Sequence, residues 1–196
     1  MKNWNIVKLG DVLEQDKSCA VTIIPDSTYE MVGVYSFGRG LFQKEKLLGM
    51  NTSYKFFYQL KRNHIVMSQL FGWEGALALS SEKFENRYVS SMFPTFLTNE
   101  EVALREYIGH FLQKREVWQL LFERGSGMGS RRRTLNPESL LGIKIPLPPL
   151  AEQQRIANYL DKLKSKIDEV KRLREEQDKL KQYIRYSFMV DCEKKY

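Results

Sequence analysis

Residues 142–173 read GIKIPLPPLAEQQRIANYLDKLKSKIDEVKRL and set the architecture of this chain. A short apolar segment runs into Pro148 and Pro149, and a charged segment with an apolar stripe follows at once. The stripe repeats at spacings of 4, 3, 4 and 3 residues, through Ile156, Leu160, Leu163, Ile167 and Val170. Such a heptad seam predicts a helix, from about Ala151 to about Met189, whose stripe needs a partner surface.

The length of this helix favours a second helix as that partner. About 38 residues at about 1.5 Å each would extend about 57 Å, which overruns a domain of this size. Packing of the stripe on the chain's own domain is the alternative. Two successive spacings of three at Val170 form a stammer, which locally overwinds a coiled coil. Beyond Val170 the seam continues through Leu173, Gln177, Leu180 and Ile184, with Gln177 as a candidate for setting the register.

Length and charge bound the class of protein. The 196 residues suit one domain plus a helical arm, because a domain takes about 100–200 residues. Hydrophobic residues make up 42% of the chain, which is enough to build a core. The net charge of +7, from 31 basic and 24 acidic residues, favours a polyanionic partner without identifying it.

The same sequence favours a cytoplasmic location. It has no apolar run of about 18 residues that would span a membrane. Its first residues, MKNWNIVKLGDVLEQ, lack the continuous apolar region of a signal peptide. Cys19 and Cys192 are expected to be free thiols, with a disulfide between them as the lesser alternative.

Periodicity predicts an α+β fold. Residues 30–98 are mostly β, with a hairpin formed by His64–Phe71 and Ala76–Ser80 around the tip GWEG. Residues 100–122 have helical spacing and predict one broken helix or two. We therefore expect a mixed β-rich domain over residues 1–149, followed by a long C-terminal coiled-coil helix over residues 150–196.

A glycine-rich basic loop is the first candidate for contact with nucleic acid. Residues 125–139 read GSGMGSRRRTLNPES. Glycines let a backbone approach a partner closely, and adjacent arginines suit phosphate contact or bidentate reading of guanine. The candidates are Arg131, Arg132 and Arg133. The alternative is a solvated basic turn, or pairing of these arginines with carboxylates.

Two further loops are candidates for the same role. Trp73 and Glu74 occupy the hairpin tip, where a glutamate can accept a hydrogen bond from cytosine N4. Trp73 could instead fold back on the core. The segment SFGRGLFQKEK, residues 36–46, is a flexible basic loop in which Arg39 and Lys44 suit phosphate contact.

Catalytic motifs are poorly supported. Glu123–Gly129 fits the E-x-G-x-G-x-G pattern of methyltransferases that use S-adenosylmethionine, but a helix precedes it where a strand is required. His64 and His110 are not at metal-ligand spacing with the cysteines. We expect no catalytic residue and no metal site.

The chain resembles the specificity subunits of type I restriction-modification systems. The segment WNIVKLGD, residues 4–11, is similar to the opening of a specificity-subunit repeat. Tyr88–Ser91 and residues 127–137 resemble parts of a target-recognition domain. The segment IPLPPLAEQQRI, residues 145–156, is nearly the family's signature for entering its conserved helix.

This resemblance implies a DNA-recognition domain, a spacer helix and no catalysis by the chain itself. Methyltransferase and restriction subunits would be its partners, and S-adenosylmethionine, ATP and Mg²⁺ would belong to those subunits. A full specificity subunit has two recognition domains and two spacer helices, whereas this chain has one of each, as a natural half-subunit or a fragment would.

Two copies could then pair their arms antiparallel as a homodimer, through Ile156, Leu160, Leu163, Ile167, Val170, Leu173, Leu180 and Ile184. Such a dimer would specify a symmetric, bipartite site in double-stranded DNA. A coiled-coil adaptor without DNA specificity is the alternative function.

Overall fold

The computed structural model describes residues 4–127 and 133–193, with side chains as far as residue 186. It divides into two compact units, Met1–Gln154 and Arg155–Tyr196. Arg131, Arg132 and the side chain of Cys192 lie outside the described residues. Cys19 is buried and is a free thiol, as predicted.

Strands dominate the first unit. Among the described residues they are β1 (Asn5–Lys8), β2 (Leu13–Gln15), β3 (Ala20–Thr22), β4 (Thr28–Val34), β5 (Leu41–Leu48), β6 (Phe56–Gln59), β7 (Ile65–Met67), β8 (Leu77–Leu79), β9 (Tyr88–Val89), β10 (Thr95–Thr98) and β11 (Lys144–Leu147). The helices are α1 (Arg105–Leu112), α2 (Arg115–Arg124), α3 (Pro137–Leu141) and α4 (Leu150–Glu193). The helical pattern of residues 100–122 thus corresponds to two helices.

The strands form three sheets. Five strands pair in the order β3-β6-β9-β4-β5, four in the order β2-β10-β7-β8, and β1 pairs with β11. The predicted hairpin is present as the antiparallel pair β7–β8, with Ile65 opposite Leu79. A short 3-10 helix, Gly72–Glu74, lies between its strands.

The core lies where these sheets and the helices cover one another. All three residues of β7 are fully buried, as expected for a strand covered on both faces. Val66 of that strand packs in one cluster with Leu60 and Val89. Removing such apolar groups from water is the main stabilising contribution, at about 25 cal/mol per Å².

Antiparallel pairing of β1 with β11 joins the two ends of the first unit. Val7 of β1 lies opposite Ile145 of β11, so the first strand and the last strand of the unit share one sheet. Gln153 is buried, and its side-chain oxygen accepts a hydrogen bond from the Leu104 N–H at 2.8 Å. Its side-chain amide donates to Val102 O at 2.9 Å and to Pro148 O at 2.8 Å. The first turn of α4 is thereby fixed to the end of β11 and to the segment before α1.

The second unit is the remainder of α4, which spans 44 residues in all and extends about 66 Å at about 1.5 Å per residue. The helix continues unbroken through the stammer at Val170. The following seam residues are exposed: Leu163, Ile167, Val170, Leu173, Leu180 and Ile184. No helix in the described part of the chain is long and apolar enough to cross a membrane.

Candidate nucleic-acid interface

The hairpin tip and the loop after β4 are joined by hydrogen bonds. The backbone N–H of Phe37 donates to Glu74 O at 2.8 Å, and that of Gly38 donates to Gly75 O at 3.0 Å. The Ser36 hydroxyl donates to the Glu74 carboxylate at 3.1 Å. Two of the three segments predicted from the sequence therefore meet in space, through residues 36–38 and 74–75. The prediction of a flexible loop over the whole of residues 36–46 is wrong, because residues 41–46 belong to strand β5.

Helix α2 packs against the hairpin tip through Trp118. Gly75 has a φ of +77°, and a Cβ there would overlap the indole of Trp118. Glycine is therefore required at this turn, both for its backbone conformation and for the close approach of the ring. The Trp118 indole N–H donates to Leu112 O at 2.7 Å, which fixes the ring. We call residues 36–40, residues 72–75 and the Trp118 ring the loop junction.

Trp73 combines the two alternatives that the sequence allows, since it is partly packed on the domain and partly exposed at the hairpin tip. It is half-buried, and its ring centroid lies 5.5 Å from that of Phe122 of α2 in an edge-to-face arrangement. Its indole N–H donates to Leu70 O at 2.9 Å. One part of the ring packs on the domain and another part reaches the surface.

Arg133 is held by the chain itself. Its guanidinium lies 4.0 Å from the centroid of the Phe122 ring and donates to Phe122 O at 2.7 Å. A second, longer hydrogen bond of 3.4 Å reaches Gly125 O. These contacts anchor the end of the glycine-rich loop on α2, next to the ring that Trp73 also contacts.

Arg39 and Lys44 are both exposed, and each lies over an aromatic ring. The Arg39 guanidinium lies 4.8 Å from the centroid of the Tyr35 ring, and its Nε donates to Ser36 O at 3.0 Å. Tyr35 in turn stacks on Phe42 with 4.2 Å between ring centroids. The Lys44 ammonium lies 5.3 Å from the Phe93 ring centroid. We call Tyr35, Arg39, Phe42 and Lys44 of the β4–β5 hairpin, together with Phe93 from the segment before β10, the β4–β5 strip.

Sequence reasoning missed Phe37, the most exposed ring of the loop junction. Phe37 has a φ of +62°, a left-handed conformation that costs a non-glycine residue roughly 1–2 kcal/mol. Its side chain is nevertheless 63% exposed. Gly38 and Gly40 mark a flexible loop in the sequence, but nothing there indicates that the phenylalanine itself has positive φ.

A buried polar cluster was also missed, because its members are far apart in the chain. The Asp16 carboxylate accepts hydrogen bonds from the Lys61 ammonium at 2.7 Å and from His64 Nε2 at 3.0 Å. It also accepts from the Ser18 hydroxyl at 2.6 Å. Burial opposes ionisation of Asp16, but these hydrogen bonds together hold its pKa well below its usual range.

The hydrogen bonds of His64 fit its neutral form. Its Nδ1 accepts the backbone N–H of Lys61 at 3.2 Å, which leaves the proton on Nε2 to donate to Asp16. Burial lowers the pKa of His64, and the Asp16 carboxylate only partly opposes that effect. The cluster joins the segment that follows β2 to the connection between β6 and β7, so its first effect is on stability.

Asp16, Cys19 and His64 are the described residues whose donor atoms lie together at metal-ligand distances, within 4.8 Å of one another. The carboxylate and the histidine are already engaged as described above. The Cys19 thiol donates to Asp16 O at 3.3 Å, and burial raises its pKa. The hydrogen bonds of this cluster therefore account for its arrangement without a metal.

The E-x-G-x-G-x-G pattern has the surroundings that the sequence predicts. Glu123 lies in the last turn of α2, so a helix and not a strand precedes the glycines. The last two residues of the pattern lie outside the described residues. A dinucleotide or S-adenosylmethionine cradle needs the strand–loop–helix order, which is not found before this loop.

The chain matches a known family of domains. Residues 1–177 match the family model described as the type I restriction modification DNA specificity domain. The chain therefore belongs to that family, and the resemblance seen in the sequence is confirmed. The predicted fold class is confirmed as well, with a β-rich domain followed by a long helix.

Particular members of that class share the fold. The HsdS subunit from Thermoanaerobacter tengcongensis superimposes with a TM-score of 0.68 at 22% identity, over 89% of this chain and 45% of that one. A structure reporting complex assembly and conformational transition of the type I R-M system gives 0.67 at 23% identity, over 91% and 46%.

A third relative is more distant. The S subunit of a type I restriction-modification system from M. genitalium gives a TM-score of 0.52 at 18% identity, over 85% of this chain and 40% of that one. The chain thus spans less than half the length of each of these solved structures.

Proposed function

We propose that the chain is the DNA-recognition part of a type I restriction-modification system. The observation that carries this proposal is the match of residues 1–177 to the DNA specificity domain family. In this proposal the first unit reads a sequence in double-stranded DNA. Partner methyltransferase and restriction subunits then act at the bipartite site that it selects.

The loop junction and the β4–β5 strip support the DNA contact. Arg39 and Lys44 are exposed cations held over aromatic rings, where they can neutralise phosphates without a large loss of side-chain freedom. Arg131 and Arg132 would add to the same contact. Arg133 would contribute charge while it holds the end of its loop on α2.

Glu74 and Trp73 would provide the base contacts at the hairpin tip. One oxygen of the Glu74 carboxylate accepts the Ser36 hydroxyl, and a carboxylate has further lone pairs that can accept from cytosine N4. Trp73 presents part of its ring beside that carboxylate. The hydrogen bonds of the junction fix both side chains before DNA arrives, which reduces the entropic cost of binding.

The exposed seam of α4 supports a homodimer. Burying a repeating apolar stripe against the same stripe of a second copy removes it from water on both helices. An antiparallel pair would place two recognition domains on one molecule. That arrangement would give a symmetric, bipartite site from a chain with one domain.

Catalysis would belong to the partner subunits, in the cytoplasm. In this proposal S-adenosylmethionine is bound by the methyltransferase subunit, and ATP and Mg²⁺ serve the restriction subunit. The chain itself supplies recognition and assembly and performs no chemical step.

Selection from a random pool of duplex DNA tests this function. The full chain would be mixed with its methyltransferase subunit, and bound duplexes would be recovered and sequenced. We expect enrichment of one motif with two fixed halves separated by a spacer of constant length. Recovery of duplexes with no common motif would contradict the proposal, since an adaptor without DNA specificity gives that result.

A further inference from the structure

We propose that Phe37 is a wedge that inserts between two base pairs of the bound duplex. The proposal rests on the DNA-binding function above and names a contact within it. Inserted apolar side chains unstack a base step and kink the duplex. Such a contact reads the deformability of a sequence and not the hydrogen-bonding edges of its bases.

The first reason is that Phe37 is exposed at a conformational cost. Its side chain is 63% exposed although its backbone has a φ of +62°. A strained residue persists only where its surroundings over-determine it, and such residues cluster at functional sites. The nearest ring, that of Trp118, lies 6.4 Å away between centroids and covers only part of Phe37.

The second reason is that the loop is rigid. The Tyr35 N–H donates to Gly40 O at 2.9 Å across the base of the loop. The backbone hydrogen bonds of Phe37 and Gly38 to the hairpin tip fix the outer end of the loop. The side chain of Gln113 packs directly against Gly38 and donates to Leu77 O at 3.1 Å. Because the loop is fixed in this way, the Phe37 ring can insert between two base pairs without displacement of its backbone.

The third reason is the charge around the ring. Arg39 lies two residues away and is exposed. Lys114 is also exposed and follows Gln113, which contacts the loop. An apolar ring on a loop that also carries an exposed arginine fits the edge of a polyanionic duplex better than an apolar protein patch, whose core is depleted in charge.

Fluorescence of 2-aminopurine provides the test. The full chain with its methyltransferase subunit would bind duplexes that carry the selected motif and 2-aminopurine at successive positions. We expect wild-type protein to raise the fluorescence at one base step and Phe37→Ala to abolish that rise. Affinity for the motif should fall about tenfold, because one stacking contact between the ring and the bases is lost.

Two variants separate a wedge from a structural role. Phe37→Gly accepts the positive φ without strain, so its melting temperature should equal or exceed that of the wild type while the fluorescence rise is lost. Phe56→Ala removes an exposed ring of β6, outside the loop junction, and should leave both the fluorescence and the affinity unchanged.

The outcomes are distinct. If wild-type protein enriches no motif, the DNA-binding function fails and the wedge fails with it. If wild-type protein binds the motif but Phe37→Ala keeps the fluorescence rise and the affinity, the function stands and the wedge is overturned. Loss of methyltransferase-subunit binding by Phe37→Ala in the absence of DNA would also overturn it, in favour of a protein interface.

Discussion

The loop junction and the seam of α4 both expose apolar side chains, but they do so in opposite ways. At the junction one ring, Phe37, stands on a loop that is fixed by hydrogen bonds and that also carries the exposed Arg39. Along α4 the exposed side chains repeat every three or four residues, and Ile167 in mid-seam is 55% exposed. Exposure alone therefore does not define a partner: a single supported ring suits a base step, whereas a periodic stripe suits a second helix.

The largest effect is expected from a charge placed in the seam of α4. Ile167→Asp should weaken self-association at least about 100-fold, because pairing would then bury an uncompensated carboxylate in each copy. Ser165→Asp is the matched control, since it adds the same charge two residues away on the outer face of the helix. Sedimentation of both variants at tens of micromolar measures the effect.

If the seam joins two copies, these two variants should differ in oligomeric state. Ser165→Asp should sediment as a dimer and Ile167→Asp as a monomer. If the unmodified chain is itself a monomer at that concentration, both alone and with its methyltransferase subunit, the homodimer is excluded.

Within the first unit, the Asp16 cluster should dominate stability. Asp16→Asn would leave the Lys61 ammonium without its carboxylate and disturb the bond to His64. We expect a loss of about 3 kcal/mol in the free energy of unfolding. Glu14→Gln changes a nearby exposed carboxylate and should alter stability little. Urea unfolding followed by tryptophan fluorescence compares the two, and equal midpoints would contradict a stabilising cluster.

The same cluster should make the first unit sensitive to acid. His64 has a lowered pKa in the folded state, whereas it takes up a proton near pH 6.5 when unfolded. Stability should therefore be full above about pH 6.5 and should fall by up to about 1.4 kcal/mol per pH unit below it. Asp16, with a lowered pKa, would add a further loss only as the pH falls below about 3.9.

Unfolding between pH 7 and pH 5 checks this dependence. His64→Gln should flatten the dependence of stability on pH, even if it lowers stability overall. Asn63→Gln, at the neighbouring residue, should retain it. A slope that persists in His64→Gln would assign the titration to another group.

The smallest effect is expected at a single phosphate contact. Arg39→Ala should reduce DNA affinity only a few fold, but it should lower the dependence of log K on log salt by about one. Lys144→Ala removes a cation from β11 and should leave that slope unchanged. The test is the affinity for DNA, measured from low to moderate salt. Identical slopes for Arg39→Ala and the unmodified chain would show that Arg39 does not contact DNA.

Periodicity explains how much of the fold could be predicted from the sequence. The α4 stripe and the β7–β8 hairpin are local patterns, so spacing alone reveals them. The pairing of Val7 with Ile145 joins residues far apart in the chain, and no local pattern records it. The same reason hides the contact between Asp16 and His64.

The interface was predictable only as a set of loops. Composition indicates residues 36–46 and 72–75, since glycines flank charged or aromatic residues in both. That these loops bond to each other depends on the tertiary packing of α2 on Gly75. Phe37 combines a positive φ with a backbone bond to Glu74 O, and no local pattern in the sequence records either feature. For this reason the most exposed ring of the junction was missed.

The most direct test of sequence recognition by two paired copies is a map of methylated bases. It would be made in cells that carry this chain and its methyltransferase subunit. We expect one methylated motif with two symmetric halves and a fixed spacer, and we expect it to disappear with Ile167→Asp. Methylation without a common motif, or an unchanged motif in Ile167→Asp cells, would contradict recognition by two copies joined through α4.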